Sequence, residues 1–330
     1  MQRLETSGVK LEAIVSALPT RFEDNLVRCR ELYGDAVKAE NVVKATGIRS
    51  RRIADEPVSS LDLCVAAAER LFSRTAIDKA AIGAVLFVSF TPERMMPGNA
   101  FQAQKRLGLG NDIVALDLNL ACSGWVYGLY LAALLVHQTR CKVLLLDGDV
   151  QSRSLAPDDA ATVPVLADAG TATLIGPSTD ASAWRFAFFA NGEGGEALTL
   201  PVGGKIAMDG FAVFRFVATE VTKFLKAFLA ADGAQPEAFD AFVPHQANVY
   251  MISQLAKSLG FTADKLKISA DEVGNSASAT IPVTISRTVA GGGADARLLV
   301  AGFGGGLSAA VGDIRLAKDC VLESMDFVGK

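Results

Sequence analysis

The sequence predicts an α/β protein made of two related halves, and three observations carry that expectation. Short apolar runs of strand length alternate with amphipathic stretches of helical period along the chain, the pattern of mostly parallel sheets covered by helices. Half of the 330 residues are apolar, ample for an extensive core. The third observation is a faint internal duplication. GAVLFVSF (83–90) leads into a helical stretch, a strand ending at the small-residue turn ACSG, a long helix and the strand KVLLLDGD. The same order returns in FDAFVPHQ (239–246), the helix NVYMISQLAKSLG, the turn GNSASA, another helix and the strand RLLVAGFGGG. The loop GPSTDAS places a boundary near 178–182, giving halves 1–178 and 179–330. In this pattern Cys122 and Asn275 occupy equivalent strand-to-helix corners.

The composition narrows the function classes. A formal net charge of -4 without a run of like charges gives no electrostatic footprint for nucleic acid or an anionic membrane. The N-terminal MQRLETSGVKLEAIVSALPT mixes charges into its apolar residues, so no secretory signal is expected. No apolar run reaches the eighteen or so residues of a membrane span. Five cysteines without a CxxC pair predict reduced thiols and a cytoplasmic protein. Two histidines and no Cys/His cluster leave little from which to build a metal site, and none is expected. Small molecules or other proteins are the expected partners.

Three residues could carry chemistry. Cys122 ends a strand-like segment and precedes apolar residues at helical spacing. A helix N-terminus there favours a thiolate and predicts a lowered pKa. The bland reading, a small buried hydrophobe, is assigned to the other four cysteines. His137 lies roughly 22 Å along the same helix at 1.5 Å per residue, too far to serve the thiol, and reads as a solvated last turn. His245 follows the apolar run AFVP and precedes a helix, at the end of a strand where open α/β sheets place ligands. A buried structural histidine is its alternative. Asn275 in VGNSASATIP is either a turn residue or the counterpart of Cys122 in the repeat. GFGGGLSAA could bring backbone N–H groups to a reacting centre, or be a plain turn. Cysteine, histidine and asparagine in that order also fit a papain-like hydrolase, although ACSGWV lacks that family's local signature.

Seven segments in order resemble β-ketoacyl-acyl-carrier-protein synthase III and its relatives in the thiolase superfamily over nearly the whole length. They are TGIRSRR (46–52), ACSG around Cys122, LADAGTATL (166–174), MDGFAVFRF (208–216), VPHQAN (243–248), GNSASA (274–279) and FGGG (303–306). The resemblance implies a five-layered α/β/α/β/α thiolase fold, a homodimer, an acyl-carrier-protein partner, and pantetheine-bound acyl and malonyl thioesters as substrates without a cofactor. It implies that Cys122 accepts the acyl group, with the N–H groups of Cys122 and Gly305 as oxyanion hole. His245 and Asn275 would then stabilise the enolate left by decarboxylation. By the same resemblance Arg49, Arg52, Arg215, Asn248 and Lys257 bind carrier or pantetheine. Leu166 and Met208 border the acyl pocket, and Met95 and Met96 approach it across the dimer interface.

Three positions depart from the family's housekeeping members, which stack coenzyme A adenine between a tryptophan and an arginine. Here Asn41 and Ala160 stand at those positions, and Tyr250 replaces a carrier-docking arginine. The chain therefore resembles a specialised member. Two further readings use the same residues: an acyltransferase to an amine or alcohol, and a catalytically silent partner subunit.

Overall fold

A computed structural model describes residues 2–180, 182–289 and 295–329; Ala181, within the expected boundary loop, lies outside them. Two sheets carry the fold. One runs, in spatial order, Val321–Phe327, Val9–Pro19, Ala169–Pro177, Lys142–Asp149, Ile82–Val88 and Val114–Leu118. The other runs Arg3–Thr6, Trp184–Ala190, Ser308–Leu316, Ala296–Gly304 and Ala241–Pro244. The end strands are exchanged: Arg3–Thr6 pairs with Trp184–Ala190, and Val321–Phe327 with Val9–Pro19.

The sheets are mixed, not mostly parallel as the alternation suggested. Val9–Pro19, Lys142–Asp149 and Ser308–Leu316 each pair with an antiparallel neighbour. The physical reason is loop length. Ala296–Gly304 passes into Ser308–Leu316 through residues 305–307, and so short a connection allows only an antiparallel partner.

Helices Gly124–Thr139 and Thr280–Thr288 lie between the sheets. Trp125, Leu129 and Ala133 pack with Leu86 and Leu145 of one sheet and with Val243 and Val300 of the other. A helix as apolar all round as YLAALLV requires such burial. Ser60–Thr75 covers the outer face of the first sheet, setting Leu61, Cys64 and Leu71 against Val15 and Leu146. Thr222–Ala231 and Val249–Leu259 cover the second, through Phe228 and Leu255 against Phe242 and Leu299. The result is the expected α/β/α/β/α layering. Among the described residues no helix is long and apolar enough to cross a membrane.

Strand periodicity explains one feature that matters below. Val143 and Leu145 face the central helices, while Leu144 and Leu146 face the outer one. Side chains alternate along a strand, so Asp147 and Asp149 continue the inner row of the same strand, and both are fully buried.

Candidate active site

Three elements end at one cavity of about 540 Å³, which Cys122, His245 and Asn275 all line. Cys122 sits in the turn between strand Val114–Leu118 and helix Gly124–Thr139. His245 directly follows strand Ala241–Pro244. Asn275 differs from the expected strand-to-helix corner. It follows the short helix Ala270–Val273, and one parallel bridge to Leu166 stands where a strand was expected. Gly274 makes this exit possible. Its φ is +80°, and a Cβ there would lie 2.7 Å from the Ala167 Cβ.

The backbone N–H groups of Gly305 and of Cys122 itself favour the thiolate form of Cys122. The neighbouring loop must approach closely, because a Cβ at Gly304 would lie 2.7 Å from the sulfur. The Ser308 hydroxyl lies 2.9 Å from the Gly305 carbonyl oxygen and 2.8 Å from the Ser123 hydroxyl, bracing the loop against the residue after the nucleophile. The expected low thiol pKa is overturned. Burial pushes it up to about 12, against the lowering effect of the two N–H groups, and the carboxyls of Asp149 and Asp147 add to the rise. Loss of solvent outweighs the helix start.

His245 is buried with its ring edge-on to Phe303, the centroids 5.5 Å apart. Its Nδ1 lies 3.0 Å from the Ala277 carbonyl oxygen and 2.8 Å from the Thr280 hydroxyl, which itself donates to that carbonyl at 2.7 Å. A carbonyl only accepts, so Nδ1 carries the proton and Nε2 keeps its lone pair. Burial pushes the ring's pKa down to about 4, despite the bond to Ala277. It is neutral at pH 7. The Asn275 side chain is fixed by the same residue: Ala277 N–H donates to Oδ1 at 2.9 Å, leaving Nδ2 as the donor end, 3.4 Å from the Ala247 oxygen.

A family model described as 3-oxoacyl-[acyl-carrier-protein] synthase III matches residues 116–193, and one for its C terminal matches 229–315. The chain is 34% identical over 279 residues to β-ketoacyl-[acyl-carrier-protein] synthase III 1 of Vibrio vulnificus (strain YJ016), covering 82% of this chain and 88% of that one. This chain belongs to the 3-oxoacyl-[acyl-carrier-protein] synthase III family. Its fold matches a 3-oxoacyl-(acyl-carrier protein) synthase from Burkholderia xenovorans LB400 with a TM-score of 0.94, at 32% identity and 99% coverage of each chain. It also matches the priming β-ketosynthase of the R1128 polyketide pathway with a TM-score of 0.85, at 26% identity, covering 96% of this chain and 98% of the other.

The remaining residues expected in this synthase III site divide. Leu166, Met208 and Asn248 line the cavity; the Asn248 side chain also caps helix Val249–Leu259 by accepting from Met251 N–H at 2.8 Å. Met95 and Met96 do not line it: they are 80% and 85% exposed, and Met95 borders a neighbouring cavity of about 580 Å³ that shares Phe90, Asn119 and Leu200 with the first. Arg49, Arg52, Arg215 and Lys257 also stand off the cavity walls. Arg49 pairs with Asp271 at 3.0 Å and Arg52 with Asp326 at 2.9 Å. Arg51 is only 2% exposed and tied to Asn25, Leu166 and Glu23, so it is a structural residue, unavailable to a phosphate. Cys141 is exposed, unlike the buried Cys29, Cys64 and Cys320. His137 lies exposed in the last turn of its helix.

Sequence reasoning missed Phe303, Thr280, Ala277 and Ser308. Phe303 and Ser308 flank the noticed glycines, and proximity in sequence was their only signal. The roles of Ala277 and Thr280 rest on backbone and hydroxyl contacts that no spacing reveals.

Proposed function

We propose that this protein catalyses decarboxylative condensation of a Cys122-bound acyl group with a malonyl thioester. The observation that carries this is one apolar-walled cavity holding a thiol under two N–H groups, a neutral imidazole and an amide donor. In the first step His245 Nε2 takes the Cys122 proton as the sulfur attacks the acyl thioester. The oxyanion rests on Cys122 and Gly305 N–H, and the departing carrier thiolate recovers the proton from the ring.

In the second step the malonyl carboxylate brings negative charge beside His245 and favours proton uptake at Nε2. That Nε2–H and Asn275 Nδ2–H hold the thioester oxygen as carbon dioxide leaves. The enolate carbon attacks the acyl thioester, and the released Cys122 thiolate takes the proton from Nε2. One proton is consumed and a β-ketoacyl thioester is formed. With carboxyl-labelled malonyl donor, labelled carbon dioxide should appear in step with β-keto product. Acyl transfer to an amine or alcohol with no labelled carbon dioxide would replace this reading.

The carrier reading follows the same residues. Asn41 and Ala160 offer no stacking pair for adenine, and the Ala160 carbonyl already accepts the Tyr33 hydroxyl at 3.0 Å. A carrier protein delivers pantetheine without adenine and loses nothing. Adenine stacking in comparable sites contributes roughly 1 to 3 kcal/mol, or about five- to a hundred-fold in affinity. We therefore expect Cys122 to load faster from acyl-carrier protein than from the same acyl group on coenzyme A at low micromolar donor. Equal rates would discount the lost pair.

We read the molecule as a cytoplasmic homodimer serving a fatty-acid or specialised-metabolite pathway. Edge strand Val114–Leu118 leaves Val114 and Leu116 45% and 44% exposed, and an unpaired apolar edge is a ready interface. Met95 and Met96 would then reach the partner's acyl pocket. Arg215 and Lys257, both exposed, would meet the carrier protein, with Arg49 and Arg52 nearer the pantetheine phosphate. The division into 1–178 and 179–330 is retained, with the end strands exchanged.

A further inference from the structure

Asp147 is a buried carboxyl that the chemistry above does not use. It falls on the inner face of its strand in line with Val143 and Leu145, where an aliphatic side chain would continue the packing without desolvating a carboxyl. One of its oxygens accepts the Ser278 hydroxyl at 2.5 Å; the other has no partner among the described residues. Asp149, two residues on, is spent elsewhere: one oxygen takes the hydroxyls of Ser89 and Thr91 and the N–H groups of Phe90 and Thr91. The Asp147 carboxyl therefore has one evident task, to hold Ser278.

Ser278 follows Ala277, whose two backbone groups hold the two side chains of the condensation step. Its N–H fixes Asn275 Oδ1 and its carbonyl accepts His245 Nδ1–H. Ala277 does this at φ +54°, a left-handed conformation that a residue with a Cβ adopts only under constraint. Ser278 is fully buried beside the start of the nucleophile's helix, with its Cβ 3.4 Å from where a Cβ on Gly124 would lie.

We propose that Asp147 is a positioning residue which, through Ser278, locks the Ala277 peptide and thereby sets the Nδ1–H tautomer of His245 and the outward Nδ2 of Asn275. Its importance for turnover rests on the condensing role of those two residues. Burial, opposed by the bond from Ser278, drives the Asp147 carboxyl well above the usual range, and Asp149 raises it further. Asparagine at 147 keeps the shape of the side chain and an oxygen that can accept the Ser278 hydroxyl.

The chain has two histidines, so selective 15N labelling gives an imidazole spectrum of two rings, assigned by His245→Ala. In Ser278→Ala and Asp147→Leu the His245 Nδ1–H signal should shift or broaden while that of His137 stays. Condensation should fall about ten- to a hundred-fold, the loss expected when a reacting group is misplaced. Asp147→Asn, which keeps an acceptor for Ser278, should preserve both. The double variant Ser278→Ala with Asp147→Leu should be no worse than the poorer single one. If Asp147→Leu does not fold, Ser278→Ala decides. An unmoved His245 signal, an unchanged condensation rate beside a moved one, or Asp147→Asn as impaired as Asp147→Leu overturns the proposal. Full condensation by His245→Ala would instead overturn the assigned reaction.

Discussion

Cys122→Ala protein, incubated with any acyl thioester donor, should show no acyl adduct by intact mass and should lose condensation by at least about 10⁴-fold, because residual binding and oxyanion donors cannot replace a covalent acceptor. The other four cysteines are poor substitutes. Cys29, Cys64 and Cys320 are buried, and Cys141 is exposed just before strand Lys142–Asp149, off the cavity walls. Burial also pushes the Cys64 thiol well up and that of Cys320 to about 12. The variant should fold, since alanine removes only the sulfur from a position held by the Gly124 helix start and the 304–306 loop. An acyl adduct that survives Cys122→Ala would move the nucleophile elsewhere and dismantle the assignment.

Much of this site was legible in the sequence because backbone direction changes leave marks there. Cys122 and His245 each lie where an apolar run ends and a helical period begins, and the strands Val114–Leu118 and Ala241–Pro244 indeed end just before them. Gly124–Thr139 also lacks a polar face, a signal of its central burial that the reading of the helical stretches as amphipathic passed over. What the sequence could not give was strand direction. Apolar runs read alike in parallel and antiparallel buried sheets, so the antiparallel neighbours of Ala169–Pro177 were hidden.

Electrostatics was the second gap. A helix start at Cys122 is visible in the sequence, whereas the depth of the cavity and the nearby Asp147 and Asp149 are tertiary facts. They reverse the expected direction of the thiol's pKa. Asp147 leaves a signal of its own, an acidic residue directly after the apolar run VLLL of KVLLLDGD; its partner Ser278, far along the chain, leaves none.

That reversal gives His245 a part in loading that the helix start alone would have made unnecessary. With the thiol at about 12, only about 10⁻⁵ of it is ionised at pH 7 without a base, and this fraction rises tenfold with each unit of pH. The ring's pKa near 4 keeps Nε2 unprotonated and ready throughout the neutral range. Wild-type loading should therefore be nearly flat from about pH 6 to 9 and fall only as the ring protonates at low pH. His245→Ala should load orders of magnitude more slowly at pH 7 and recover about tenfold per unit as pH rises, while condensation stays lost because its Nε2–H donor is gone. Asn275→Ala separates the two steps: it should load at the wild-type rate and lose condensation. The measurement is the rate of acyl-adduct formation by mass spectrometry across pH for each variant. Wild-type loading by His245→Ala at pH 7 would show that the N–H groups of Cys122 and Gly305 activate the thiol without the ring.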